Sequence, residues 1–193
     1  MPTILAFAGS PRRGGNSEIL LDCLTAGVKD KGGQVNKIIL NELKISPCQE
    51  CGGCDKSGCC VVDDDMQSIY KQLDSAGALV VASPIFFSGV SAQLKAVIDR
   101  CQCHWVRKFL LKQSPHENKR PGVFLSVRGQ AGLDIFHCAV KPVKAFFGTE
   151  DVSYAHELLC DNIDAKGRIS AHSDVLGQAY QLGWKLLSQI SRG

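Results

Sequence analysis

The sequence predicts a doubly wound α/β fold, an open five-stranded parallel sheet with helices on both faces. Five short apolar runs rich in Val, Ile, Leu and Phe are bounded by Gly, Pro or Ser and read as buried strands. Between them lie stretches whose apolar residues recur at helical spacing. Alternation of this kind winds a chain into βαβ units, and right-handed crossovers place the strands parallel. With 193 residues, 45% of them apolar and 21% charged, the chain reads as one globular domain over 1–193.

The first strand is Thr3 to Ala8, stopped by Gly9-Ser10-Pro11. A helix follows from about Ser17, with Ile19, Leu20, Cys23, Leu24 and Val28 on one face and Gly32-Gly33 at its end. Val35 to Leu40 is the second strand, and a cysteine-rich loop over 46–63 comes next. Asp63-Asp64-Asp65 opens the second helix, where acidic residues complement the helix dipole, and Met66, Ile69, Tyr70 and Leu73 form its apolar face. The third strand, Ala78 to Ala82, ends at Ser83-Pro84, and a helix runs from about Ser91 towards Arg107. After a polar, proline-bounded loop from Lys112 to Pro121 come a strand from Gly122 to Val127 and a helix from Leu133 to Phe147. A fifth strand from Ser153 to Leu159 and a helix from Ser170 to Ser191 complete the pattern.

The formal net charge of +3 is too small, and the basic residues too scattered, for a nucleic-acid-binding surface. The densest basic stretch, Arg107, Lys108, Lys112, Lys119 and Arg120, reads first as a solvated helix end and loop, with a site for an acidic protein partner or a cofactor phosphate as the second reading. The apolar run at the N-terminus has no basic flank and is too short for a signal sequence or a membrane span, which predicts a cytoplasmic protein. In that compartment ten cysteines are reduced thiols or metal ligands rather than disulfides. Cys23, Cys101, Cys103, Cys138 and Cys160 lie on apolar stretches and read as packing residues. His104 beside Cys101 and Cys103 reads as structural, because Cys-x-Cys-His on a helix points its side chains in different directions.

In a doubly wound sheet, ligands bind beyond the carboxyl ends of the strands, which directs attention to the loops after strands one, three and four. The first, Gly9-Ser10-Pro11-Arg12-Arg13-Gly14-Gly15-Asn16-Ser17, stands directly ahead of a helix N-terminus. Backbone N–H groups and the helix dipole there favour a phosphate, with Ser10, Asn16 and Ser17 as donors, Arg12 as charge, and Glu18 counted with the same turn. It is neither a Walker A loop nor a Gly-x-Gly-x-x-Gly fingerprint. The third-strand loop, Pro84, Ile85, Phe86, Phe87 and Ser88, supplies an apolar wall and backbone donors suited to a flat heteroaromatic ring. Ser126, Arg128 and Gly129, with Gln130, form a third side.

Cys48-x2-Cys51-x2-Cys54-x5-Cys60 is the densest signal in the chain. Thiolates two residues apart on a backbone turned by Gly52, Gly53 and Gly58 converge on one small cage, as an iron-sulfur cluster requires. Zinc, more often held by two separated knuckles, and a redox-active or buried thiol set are the other readings of this spacing. Cys59 competes with Cys60 as the fourth ligand.

Gly9-Ser10-Pro11-Arg12 with Asn16-Ser17, the cysteine loop with Asp64-Asp65-Met66, and Ser83-Pro84-Ile85-Phe86 with Leu94-Lys95 and Asp99-Arg100 together resemble the iron-sulfur flavoproteins. These belong to the NAD(P)H-dependent FMN reductase branch of the flavodoxin-like proteins. The likeness covers about residues 3–160, and Asn162 to Gly167 also resembles that group. It implies FMN held at its phosphate by Ser10, Arg12, Asn16 and Ser17, and at its ring by Pro84, Ile85, Phe86 and Phe87. It also implies a [4Fe-4S] cluster on Cys48, Cys51, Cys54 and Cys60, and homo-oligomers, dimeric or tetrameric, that bring one subunit's cluster to another's flavin. The expected function is electron transfer, with ferredoxin or NAD(P)H as donor and with neither nucleic acid nor membrane as partner. The alternatives are an NAD(P)H-dependent FMN or quinone reductase without a cluster, and a redox-responsive binding module. Electron transfer needs no side-chain acid or base, so no catalytic residue is expected.

Overall fold

The alternation of strand and helix is realised in the computed structural model, which describes residues 3–190. The order is β1 (Thr3–Ala8), α1 (Asn16–Asp30), β2 (Gln34–Ile39), α2 (Met66–Ser75), β3 (Ala78–Phe86), β4 (Gly89–Val90) and α3 (Ala92–Arg100). It continues with α4 (Gln102–Trp105), β5 (Arg120–Val127), α5 (Phe136–Thr149), β6 (Val152–Cys160) and α6 (Ser173–Ile190). The five long strands lie in the order β2-β1-β3-β5-β6, every neighbouring pair parallel. This is the flavodoxin-like winding, whose strand order reverses between β1 and β3. The sixth strand, β4, is a two-residue addition that pairs antiparallel with the end of β3.

Alternation along the strands divides the core into two. Leu5, Phe7, Leu79, Val81 and Phe124 face α2, α3 and α5, meeting Ile69, Leu73, Leu94, Val97, Phe146 and Phe147. Ile4, Ala6, Val80, Ala82, Val123 and Leu125 face α1 and α6, meeting Leu20, Leu24, Val28, Ala179 and Leu186. Both faces of the central strands β1, β3 and β5 are therefore covered, and their carboxyl ends are open to a ligand. Among the described residues no helix is long and apolar enough to cross a membrane.

Several expectations are corrected. β3 does not stop at Ser83-Pro84: Pro84 pairs with Val127 at the end of the parallel ladder, and Ile85 and Phe86 then pair with β4. Proline, lacking an N–H, is tolerated there because the strand is leaving the sheet. The helix from Ser91 breaks at Cys101 into α3, α4 and a π-helical turn over Val106–Leu110. Arg120 and Pro121 belong to β5 rather than to the preceding loop. The basic stretch is also not simply solvated. Arg120 is buried and donates to the carbonyl oxygens of Leu73 (2.7 Å), Ala76 (2.6 Å) and Glu150. Arg107 pairs with Asp74 and Lys108 with Asp151. The fourth helix begins as a 3-10 turn at Leu133–Ile135, and another at Arg168–Ala171 precedes α6; Ser191 lies outside the described residues.

Candidate functional site

Loops from four strand ends enclose a cleft of about 450 Å³ at the carboxyl edge of the sheet, within the usual size range of small-molecule sites. Its floor is the turn between β1 and α1. Gly9 donates to Ala82 O (2.8 Å), and the buried Ser91 hydroxyl donates to Gly9 O (2.5 Å), locking this turn to β3 and to the start of α3. Gly14, at φ 64°, bends the chain so that α1 starts against the cleft. The N-cap residue, Gly15, supplies no side-chain cap. The N–H groups of the first turn precede the first intrahelical hydrogen bond and remain available to an anion.

Most residues expected at this site are brought together. Ser10, Arg12, Asn16, Ser17, Pro84, Ile85, Phe86, Phe87, Ser88, Arg128 and Gly129 all line the cleft. Arg12 makes no ion pair among the described residues, whereas Arg13 turns away to Glu42 (2.9 Å) and Glu18 (3.5 Å). Two residues stand outside the lining. Glu18 is buried behind the turn, accepting from Gly14 N (2.7 Å) and Lys37 Nζ (2.9 Å). Burial works against its charge, but these donors outweigh burial and hold its pKa below the usual carboxylate value. Ser126 is fully buried and donates to Ser83 O (2.8 Å), joining β5 to β3 below the cleft.

Others are present with different tasks. The Asn16 amide donates to Ile163 O (3.3 Å) and Ala165 O (3.0 Å) and accepts from Ile169 N (3.2 Å). Its side chain thus fastens the segment after β6, leaving its backbone N–H for a ligand. That segment supplies Ile163, Asp164 and Lys166 to the cleft, and Ile135 enters ahead of α5. These residues were missed, although the strand-end rule that selected the other loops applies equally to the end of β6. Arg128 spends its guanidinium on Gly132 O (2.5 Å), Ala131 O (3.3 Å) and Gln130 Oε1 (3.1 Å), shaping its own loop.

The wall opposite is a two-residue hairpin. Phe87 and Ser88 are both left-handed, at φ 46° and 64°, as a type I′ turn requires. Neither residue type favours that region. Phe86 is 44% exposed and Phe87 108%, so the strain holds an aromatic pair at the rim without burying the outer ring.

A second cavity, about 280 Å³, lies within the cysteine loop. Cys48, Cys51, Cys54 and Cys60 all line it, and Cys59 does not. All are free thiols. Burial pushes the Cys54 thiol up, with Asp55 and the nearby Cys60 and Cys48 adding to the shift. Among the described residues no three of these sulfurs lie within 4.8 Å of one another. Four thiols around one cavity are a donor set that either zinc or an iron-sulfur cluster takes.

The Asp triplet before α2 does more than complement the helix dipole. Asp64 accepts from Arg100 Nη1 (2.6 Å) and Nη2 (3.1 Å), as well as from the N–H groups of Ser46 (2.9 Å) and Met66 (3.0 Å). Burial opposes its charge, but these partners hold its pKa below the ordinary value.

Cys101 and His104 do converge, contrary to expectation, because three residues along a helix return to nearly the same face. With Glu150 they form a buried trio whose ligand atoms lie within 4.8 Å of one another. His104 Nδ1 is 3.0 Å from both Glu150 oxygens. Glu150 also lies near the buried Arg120, whose guanidinium is otherwise held by main-chain carbonyls, and supplies it with a countercharge. Of the other thiols, Cys103 and Cys160 are buried as packing predicts, whereas Cys23 is half-buried and Cys138 exposed.

The model of the NADPH-dependent FMN reductase family matches residues 2–154. This chain belongs to that family. Its curated relatives include iron-sulfur flavoproteins. One from Methanosarcina thermophila is 33% identical over 126 residues, 65% of this chain and 63% of that protein. One from Archaeoglobus fulgidus is 39% identical over 99 residues, 51% and 50%. The chain thus spans between half and just under two-thirds of the length of these two relatives. The fold is shared with the NAD(P)H:quinone oxidoreductase of Methanothermobacter marburgensis, at a TM-score of 0.71 and 16% identity over 96% of both chains.

Proposed function

We propose that this protein is an FMN-binding iron-sulfur flavoprotein that transfers electrons. The observation that carries the reading is the meeting of an uncapped helix start, an arginine without an ion pair among the described residues and an aromatic hairpin around one cleft at the switch point of the sheet. Arg12 and the N–H groups at the start of α1, with Ser10 and Ser17 beside them, hold the FMN phosphate. Pro84 to Ser88 lie along the ring, and Arg128, Gly129 and the segment after β6 close the remaining side. Cys48, Cys51, Cys54 and Cys60 hold a [4Fe-4S] cluster; Cys60 is preferred to Cys59 because it faces the same cavity as the other three.

When bound, the cluster supplies single-electron transfer and FMN supplies one- or two-electron chemistry. The chain's own contribution is to bind both, to limit water and to fix their electrostatic surroundings, and no side chain is assigned as acid or base. The iron-sulfur flavoprotein relatives favour the cluster, and the family favours NAD(P)H as donor, with ferredoxin as the other candidate. The protein acts in the cytoplasm as a single-domain subunit of a homo-oligomer.

Anoxic purification with paired flavin, iron and sulfide analysis tests the reading. About one FMN and about four irons per chain are expected for one flavin beside one cubane. Flavin without iron or sulfide would leave an NAD(P)H-dependent reductase, which steady reduction of the bound flavin by NAD(P)H would then identify. Absence of both cofactors would overturn the proposal.

A further inference from the structure

Arg100 ends α3 with its side chain only 1% exposed. A buried guanidinium is costly unless its donors are used, and here four bonds join it to both flanks of the cysteine loop. Nη1 donates to Ser46 O (2.9 Å), two residues before Cys48, and Nη2 to Val62 O (3.4 Å), two residues after Cys60. Both also form the fork to Asp64. The main chain of Arg100 is anchored in turn, its carbonyl accepting from the Tyr70 hydroxyl at 2.8 Å and lying 3.6 Å from the Cys103 sulfur.

One donor is left over. Arg100 Nε is buried and has no hydrogen-bond partner among the described residues. Arg100 is also the one basic residue among those lining the thiol cavity, whose other charged members, Glu50 and Asp55, are acidic. An N–H held in low dielectric without a partner is strongly disfavoured, whereas metal-bound thiolate and sulfide are acceptors that would satisfy it.

We infer that Arg100 is a positioning residue for the cluster, closing the two ends of the cysteine loop and donating its Nε–H to the cluster's sulfur. The inference rests on the iron-sulfur reading above. Hydrogen bonds to sulfur help set the potential of such clusters; a donor stabilises the more negative, reduced state and so raises the potential. Because Asp64 neutralises most of the arginine charge, the effect resides in the N–H rather than in the net charge.

The test is Arg100→Lys, which keeps the charge and removes the planar fork and the Nε–H. Potentials are read by spectroscopically monitored redox titration of the holoprotein under anoxia. The reduced wild-type protein, grown with 15N-arginine, is examined for hyperfine coupling between the cluster and a nitrogen nucleus. The expected result is 15N coupling in the wild type and, in Arg100→Lys, its loss together with at least a tenfold shift of the reduction equilibrium towards the oxidised state, about 59 mV for one electron. An unchanged potential with iron retained, or no 15N coupling in the iron-loaded wild type, would overturn the inference and leave the cluster reading standing. If Arg100→Lys fails to hold iron, the wild-type coupling decides alone. A wild-type protein without iron overturns the cluster reading and the inference together.

Discussion

The cleft at the sheet edge and the cavity in the cysteine loop occupy opposite ends of α3 and are stabilised by different means. Every wall of the cleft is a short connection with both ends fixed in strand or helix, so its shape follows from the topology of the sheet. The cysteine cavity is formed mainly by residues between 43 and 65, which contain neither helix nor strand. What shape that loop has comes from Arg100 and Asp64, from Gly58 N–H donating to Cys54 O (2.8 Å), and from Gly58 itself, whose φ of 67° and close packing on Arg107 leave no room for a side chain. The sheet organises one site before any ligand arrives, and a few buried polar groups organise the other. Between them runs a helix of nine residues, about 14 Å long at 1.5 Å per residue.

If the two sites are organised independently, each can be broken without the other, and the largest effect is expected at the thiols. Cys60→Ser replaces a soft ligand by a hydroxyl and is expected to abolish iron binding while FMN content stays near that of the wild type. Cys59→Ser is expected to leave both, because Cys59 does not face the cavity. Iron and flavin analysis of the two variants checks this directly. Loss of iron from Cys59→Ser with retention in Cys60→Ser would reverse the ligand assignment.

Gly129→Ala is the complementary lesion. A Cβ there would stand 2.5 Å from Asp164 Oδ1 and 3.0 Å from Asp164 Cβ, forcing apart the two loops that close the cleft. FMN affinity is expected to fall about tenfold, equivalent to about 1.4 kcal/mol, with iron content unchanged. Titration of apoprotein with FMN, followed by flavin fluorescence, measures it; affinity equal to that of the wild type would show that the segment after β6 contributes no wall.

The same contrast explains what was legible in the sequence. β1 was bounded to the residue, because a strand buried on both faces is a continuous apolar run ended by Gly9-Ser10-Pro11. The cleft was largely legible because strand ends in this topology place their loops together, whatever the side chains. Glu18, Ser126 and the Asn16 amide misled because hydroxyl, amide and carboxylate groups beside a ligand serve equally well to fasten loops, and only contacts distant in sequence decide between those tasks. Asn16 reaches Ala165, 149 residues on. Arg100 was seen as part of a motif without a task for the same reason, its partner Asp64 lying 36 residues earlier. The cysteine spacing picked out the thiols that line one cavity but could not separate Cys59 from Cys60, which differ by one residue and by which of them faces that cavity.

The smallest expected effect concerns the hairpin at the rim. Each left-handed non-glycine residue costs roughly 1–2 kcal/mol, and the exposed Phe87 ring gains nothing from burial in return. Phe87→Gly relieves the strain but adds roughly 0.5–1 kcal/mol of backbone entropy lost on folding, so a net gain between about zero and about 1.5 kcal/mol is expected. In a chain of 193 residues each 1 kcal/mol of that gain raises the unfolding midpoint of the apoprotein by about 2–4 °C. The same change removes one aromatic face from the cleft, so the variant should be more stable when empty and hold FMN several-fold less tightly. Thermal unfolding of the apoprotein and FMN titration separate the two effects. A stability gain without weaker FMN binding would mean that Phe87 points away from the flavin and that its strained turn serves another surface; weaker binding and higher stability together would mark it as strain maintained for the ligand.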